Sequence, residues 1–244
     1  MTGYLTLEIK RMLRTPRFVL FAIALPTLLY LLQSGLYKDE SVPGTDVKYK
    51  AYLLCGLAAY GAFVSALSTG IRIAAERSGG WQAQLRLTPL SPKAYLLSKV
   101  VVSMIVALPA PIIVAMAGGF IENVHLSAGA WVQLTLGTWL ASLPFAVLGV
   151  LLGLLASADS VQIYTAGVQL GFGFLSGLLI PLTGFPSWVA SAVKAIPSYW
   201  LADIGHGALL GNNNTALAVL VLGAWTVALS ALVVFSYRRE AALA

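Results

Sequence analysis

Long apolar runs dominate this chain and restrict what it can fold into. Several reach the ~20 residues an α-helix needs to cross the hydrocarbon core of a bilayer, Phe18–Leu36 being the first. The 244 residues are 59% hydrophobic and only 10% charged, with a mean hydropathy of +0.85. Nine carboxylates and fifteen Lys/Arg cannot supply the polar exterior that a soluble domain of this size needs. The reading is an all-α integral membrane protein built as a single transmembrane domain over 1–244. A signal peptide would show a shorter apolar core and a small-residue cleavage site, so the first run, which follows a basic leader, is expected to stay in the mature chain. The lone Cys55 allows no intrachain disulfide and reads as a small buried side chain.

Hydropathy and period place six transmembrane helices at roughly 18–36, 51–75, 100–120, 130–156, 161–182 and 215–236. The fourth would be ~40 Å long at 1.5 Å per residue, so it must tilt, kink at Pro144 or project into water. The stretch 184–212 is rejected as a seventh span. Lys194 and Asp203 would each cost about 2.5–3.5 kcal/mol near the bilayer centre, and Pro197 interrupts the pattern between them. Its Phe185-Pro186-Ser187-Trp188 and Pro197-Ser198-Tyr199-Trp200 put aromatic anchors around short helical pieces. That suits a re-entrant or interface-lying hairpin, with a surface loop as the alternative.

Lys10, Arg11, Arg14, Arg17, Arg72, Arg77, Arg86, Lys93, Lys99, Arg238 and Arg239 fall on one side of a six-span arrangement, and Lys38, Lys48, Lys50 and Lys194 on the other. The positive-inside bias then places both termini in the cytoplasm. The other side carries Asp39, Glu40, Asp46, Glu122 and Asp203, so the formal charge of +6 is a topology signal and does not mark a nucleic-acid partner.

Two polar segments on the basic side stand out. Tyr4–Arg14 spaces Leu5, Ile9, Met12 and Leu13 among Lys10, Arg11 and Arg14, which suits an amphipathic helix along the inner leaflet, or else a charged flank that sets topology. Thr15-Pro16 should end it. The second segment, 76–92, leaves span two with Glu76 and Arg77, where Arg72, four residues before Glu76, can pair with it on one helix face. Gly79-Gly80 allows a sharp turn. Trp81, Leu85 and Leu90 can then face the membrane while Gln82, Gln84 and Arg86 face water, giving a short surface helix or an ordinary basic loop. Thr88-Pro89 stops it, and Ser91-Pro92 suits a helix start, serine as cap and proline in the first turn.

The order of these features resembles the permease subunit of type-2 ABC exporters, related in architecture to the G-subfamily ABC transporters. Carrying the resemblance are Arg14-Thr15-Pro16-Arg17-Phe18, Glu76-Arg77 with Gly80 and Leu85-Arg86, Thr88-Pro89-Leu90-Ser91-Pro92, and Pro197-Ser198-Tyr199-Trp200, which together span essentially the whole chain. The resemblance implies a connecting helix at 4–15, a cytoplasmic coupling helix at 76–90 docking on an ATP-binding subunit, and extracellular re-entrant helices at 184–212 before span six. Coupling would fall to Glu76, Arg77, Gly80, Trp81, Leu85, Arg86, Thr88 and Pro89. The outer loop at 37–50 is short, unlike that of relatives with large extracellular domains there. Two permease copies, by default a homodimer, and two ATP-binding subunits are implied, the latter binding ATP and Mg, in a bacterial or archaeal plasma membrane.

The chain itself contains no Gly-x-x-x-x-Gly-Lys-Ser/Thr loop, so hydrolysis is expected from another polypeptide. Its two histidines, His125 and His206, suggest no metal cluster, and no cofactor is expected in this chain. Span five mixes Tyr164, Gln169, Phe172, Phe174 and Ser176 with Gly167, Gly171, Gly173 and Gly177. The spacing from Gly173 to Gly177 fits close helix packing, and the alternative makes Tyr164, Gln169, Phe172 and Phe174 a substrate pathway. Asp159, in the turn Ser157–Ser160, reads as a helix cap. The functional expectation is ATP-driven export of a hydrophobic or amphipathic small molecule such as an antibiotic, lipid or peptide. Glycan or glycolipid export, or a motor-free membrane factor such as a bacteriocin-immunity protein, are the alternatives.

Overall fold

A helix that is apolar on every face has no side suited to water and becomes the centre of a bundle. Tyr49–Leu67 has that pattern. In the computed structural model, which describes residues 6, 16–37, 40–42, 45–80, 91–182, 185–210 and 214–243, it is the helix around which the others assemble. The helices are α1 (Pro16–Leu36), α2 (Tyr49–Leu67), α3 (Thr69–Ser78), α4 (Pro92–Ala107), α5 (Pro109–Phe120), α6 (Ala128–Val132), α7 (Thr138–Ala141), α8 (Leu143–Leu155), α9 (Val161–Leu175), α10 (Ser187–Ala192), α11 (Pro197–Leu210) and α12 (Thr215–Leu243). The amphipathic segment expected at 4–15 lies outside the described residues apart from Thr6. Among the described residues the β-structure is one isolated bridge, Ser41 with Lys48.

Nearly every residue from Leu53 to Leu67 is buried, and α1, α4, α5, α8 and α11 all pack on α2. The core includes a ring cluster in which Phe63 of α2 meets Phe145 of α8 edge-on at 4.6 Å and Phe172 of α9 at 6.3 Å. α12 packs on α8 and α11 but leaves Val219, Leu220, Val227 and Phe235 exposed. Leu25, Leu28, Leu32 and Leu36 form a similar exposed stripe on α1, as expected of helices whose outer faces meet lipid.

Among the described residues, four helical stretches are long and apolar enough to cross a membrane: Tyr49–Ser78, Lys93–Phe120, Ala128–Leu155 and Thr215–Arg239. Three of them are interrupted. α2 passes into α3 at Ser68, whose hydroxyl donates to the Ser65 carbonyl at 2.5 Å, a side-chain bond that competes with the helical ladder. α4 passes into α5 at Leu108-Pro109, where proline removes a donor. Of tilt, kink at Pro144 or projection into water, the structure shows an interruption close to the proline, a break at Ser142 after a π-helical turn over Gln133–Gly137. Ser91 caps α4 as expected, accepting from the Ala94 amide at 3.3 Å with proline in the first turn.

The fifth expected span is shorter than its apolar run. α9 ends at Leu175 after 15 residues, about 22 Å of rise. The chain then turns at Gly177, whose φ of +83° is costly for any residue with a Cβ. Gly177 therefore lies off the helix and forms no helix-packing pair with Gly173. Instead its carbonyl accepts from Tyr52 at 3.0 Å, docking the segment after α9 on α2. Asp159 is exposed and does not cap α9. Ser160 holds the N-cap position without a side-chain capping bond, and the turn is closed by Ser157 and Ser160 hydroxyls 2.8 Å apart. The 187–210 region forms the expected short pieces, α10 and α11. Trp200 donates to the Lys194 carbonyl at 2.7 Å and Trp225 of α12 to the Ala195 carbonyl at 3.2 Å.

A close helix crossing joins the α2–α3 junction to α8. Each Cβ that could be added at Gly70, Gly149 or Gly153 meets backbone: the Gly149 carbonyl, the Leu67 carbonyl and, at 2.6 Å, the Gly70 carbonyl respectively. Small residues permit this backbone-to-backbone packing. Gly149→Ala is therefore expected to lower the melting temperature of the purified protein, at a cost on the order of 1–3 kcal/mol for overpacking. Gly223→Ala, on open surface, is expected to be neutral or mildly stabilising. Equal melting temperatures for the two variants would contradict the crossing.

Candidate functional site

The two adjacent charged residues near the end of α3, Glu76 and Arg77, attach it to different neighbours. Glu76 is 6% exposed, and its Oε2 accepts from Nζ of Lys99, on α4, at 2.7 Å, with the two side chains 4% and 2% exposed. The ammonium also lies 5.3 Å from the centre of the Tyr95 ring, a favourable place for a cation. Arg77, the next residue, donates to the carbonyls of Gly153 at 3.1 Å and Ala156 at 3.2 Å. These lie at the C-terminal end of α8, where a helix leaves carbonyls unpaired and a cation is stabilised. A buried hydroxyl contact from Ser103 of α4 to Thr69 of α3 adds a second tie along the same face.

The result is a clamp. α3 is pinned to the start of α4 by an ion pair, to the end of α8 by a guanidinium, and to the body of α8 by the glycine crossing. Just past it, Gly79 donates to the Ala75 carbonyl, and Gly80, at φ +71°, closes the turn as its pairing with Gly79 suggested. The chain then enters 81–90. Trp81, Leu85, Arg86, Thr88 and Pro89 lie outside the described residues, so of the expected coupling residues the structure describes Glu76, Arg77 and Gly80.

The sequence reading assigned Glu76 a partner one turn away, Arg72 or its neighbour Arg77, and missed Lys99. The available signal was the lone cation in Tyr95-Leu96-Leu97-Ser98-Lys99-Val100, at the same membrane boundary as a lone carboxylate. Two such charges in apolar surroundings stabilise each other by pairing. The Arg77 contacts had no sequence signal, because main-chain acceptors carry no residue identity.

The four expected pathway residues do not share a face of α9. Phe172 is half-buried against Phe63 and Phe145, which is the packing alternative for that ring, and Gln169 is half-buried. Tyr164 and Phe174 are 55% and 44% exposed. Gly167 and Gly171 have nothing within 4 Å of an added Cβ, so α9 presents an open strip of aromatics and glycines away from the core.

Removing one member of the Glu76–Lys99 pair strands a buried charge, at about 3–5 kcal/mol. Glu76→Gln and Lys99→Met are each expected to lower the melting temperature of the detergent-purified protein strongly, and the double variant to recover most of the loss. A double variant as unstable as the sum of the two singles would show that the charges do not act as a pair.

Comparison with known proteins gives the family. Residues 4–210 match the family described as ABC-2 type transporter. Over 237 residues the chain is 26% identical to the protein named "Putative transport permease YvfS" of Bacillus subtilis (strain 168), covering 97% of this chain and 96% of that protein. The matched region contains the α3 clamp, the insert that follows it, α9 and α11, and on that basis this multi-pass membrane protein belongs to the ABC-2 type transporter family.

Proposed function

We propose that the chain is the transmembrane subunit of an ATP-driven exporter for a hydrophobic or amphipathic small molecule, such as an antibiotic, a lipid or a peptide. Two copies would work with two ATP-binding subunits in a bacterial or archaeal plasma membrane. The observation that carries this reading is the clamp. The basic, proline-closed sequence at 81–92 follows directly on the turn after Glu76 and Arg77, which are fixed to α4 and α8. A push on such an insert is passed to three helices at once. The family implies an ATP-binding partner in general, and the insert is the surface on which it would dock.

The rest of the reading follows from charge and exposure. Six crossings, with α1 and the short α9 completing the four long stretches, put both termini and Arg86 on the cytoplasmic side by the positive-inside bias. α10 and α11 would then form the outer re-entrant pair. The open strip of α9, with Tyr164, Phe174 and the two glycines, is the surface offered to the substrate or to the second copy. An apolar or amphipathic substrate fits because aromatic side chains line it.

Co-expression with an ATP-binding subunit followed by purification in detergent tests the reading. The two chains are expected to travel together, and shortening the insert at 81–90 is expected to separate them. A permease that purifies alone at full transport activity would contradict it. In whole cells, a cysteine placed at position 86 is expected to react with an impermeant maleimide only after lysis, and labelling before lysis would reverse the orientation.

The two phenylalanines of α9 should also separate. Phe172→Ala is expected to lower the melting temperature, at about 3–5 kcal/mol for a truncated packed ring. Phe174→Ala is expected to leave the melting temperature alone and change substrate stimulation of the partner ATPase by roughly ten- to hundredfold in apparent affinity. Unchanged stimulation in Phe174→Ala would remove α9 from the pathway.

A further inference from the structure

The turn between α5 and α6 encloses a cavity of about 420 Å³, within the size range of small-ligand sites. It lies at the end of the α4–α5 stretch away from Lys99. Its walls are Met116, Gly119 and Phe120 of α5 on one side and Trp131 and Thr135 on the other, with His125 of the connecting turn at one end. Met116 and Phe120, one helical turn apart, are 52% and 81% exposed, so the slot opens sideways onto an apolar helix flank and does not lead into the bundle.

Local structure makes the slot. At position 119 an added Cβ would stand 3.5 Å from the Trp131 ring, so the glycine lets the indole lie beside α5 with space between. The π-helical turn Gln133–Gly137 sends Gln133 inward, where its amide donates to the Ile204 carbonyl of α11 at 3.0 Å. Thr135 is left toward the slot with its hydroxyl satisfied by the Trp131 carbonyl at 2.8 Å. An apolar slot with no unpaired hydroxyl at Thr135 suits a hydrocarbon better than a polar ligand.

We propose that this slot holds one acyl chain of a bilayer phospholipid, from the leaflet that the α5–α6 turn meets, the outer one in the proposed orientation. Three observations favour lipid as the occupant. The slot is continuous with the exposed flank of a membrane-spanning helix, in Met116 and Phe120. It lies at the end of the α4–α5 span and is lined there by the Trp131 indole, a side chain enriched at membrane–water interfaces. Its rim carries no net charge among the described residues. Lys50 donates to the Glu122 carbonyl at 2.8 Å and so stands beside one carboxylate-bearing residue of the same turn. Recognition therefore rests on the chain and not on the headgroup charge.

Phosphatidylcholine brominated in its acyl chains tests this, because bromine quenches an indole at contact. The detergent-purified full chain is titrated with this lipid, and the Trp131 signal is isolated by difference from Trp131→Phe. Quenching of Trp131 is expected to saturate at a lipid fraction well below that needed for the other five tryptophans, and to be reversed by unbrominated phosphatidylcholine. Gly119→Leu, which extends a branch into the slot, is expected to raise the half-saturating fraction about tenfold, the loss expected when about two methylenes are kept out of an apolar site. Met116→Phe, at an exposed wall position, narrows the slot without touching the core and is expected to act in the same direction. Trp131 quenched in step with the other tryptophans, or equally in both variants, would overturn the proposal. Absence of Trp131 quenching would overturn it too, since a second copy or another protein would then be covering the slot.

Discussion

The ion pair of Glu76 and Lys99 fixes how the helices of this protein are held relative to one another. Two charges that are 4% and 2% exposed have lost their water, and in such a place each is stabilised by the other. Their 2.7 Å contact therefore sets the height of α3 against α4. The neighbouring Arg77 sets the height of α3 against α8 through the Gly153 and Ala156 carbonyls. Lipid-facing helices gain little from apolar contact with one another, since lipid tails are equally apolar, and their association depends on close packing and polar ties. α3 has both, in the glycine crossing and in the clamp.

This arrangement gives the membrane end of the insert a mechanical character. α2 and α3 together form the central element, with nearly the whole of Leu53–Leu67 buried. Force delivered after Gly80 would reach the clamp before it reached any lipid-facing surface, and would move α3, α4 and α8 as one body. α9 packs on that body at α3 and α8, and on α2 and α11 as well, but keeps an open strip through Tyr164, Gly167, Gly171 and Phe174. Substrate access and force transmission would then fall on different helices of the same bundle.

Much of the fold was legible in the sequence because apolar length and punctuation are local. Ser91-Pro92 marked the start of α4, Gly79-Gly80 the turn after α3, Pro144 the break in Ala128–Leu155, and Pro197 the separation of α10 from α11. The end of α9 was misjudged because the residues after Leu175 remain apolar. What stops the helix is Gly177 at positive φ, held by Tyr52 from another helix, and hydropathy does not register that. The candidate site was half legible. Glu76 and Arg77 stood out as charges at a membrane boundary, but their partners lie 23 residues on and in main-chain carbonyls some 76–79 residues on. Periodicity describes faces of one helix and carries no information on which face of another helix it meets. The same limit hid Gly70, Gly149 and Gly153, although the four-residue spacing of the last two was visible.

The clamp is tested most directly by distances measured in the working assembly. Spin labels at the exposed positions Ser78, Lys93 and Ser157, which report α3, the start of α4 and the turn after α8, can be read pairwise by pulsed electron resonance. The measurement is made with the ATP-binding subunit present, before and after trapping with ATP and vanadate. The account predicts that the Ser78–Lys93 and Ser78–Ser157 distances within one copy stay the same while the Ser78–Ser78 distance between copies changes. Internal distances that shift as far as the distance between copies would show that α3 moves independently of α4 and α8, and the clamp would not be the element that carries the motion.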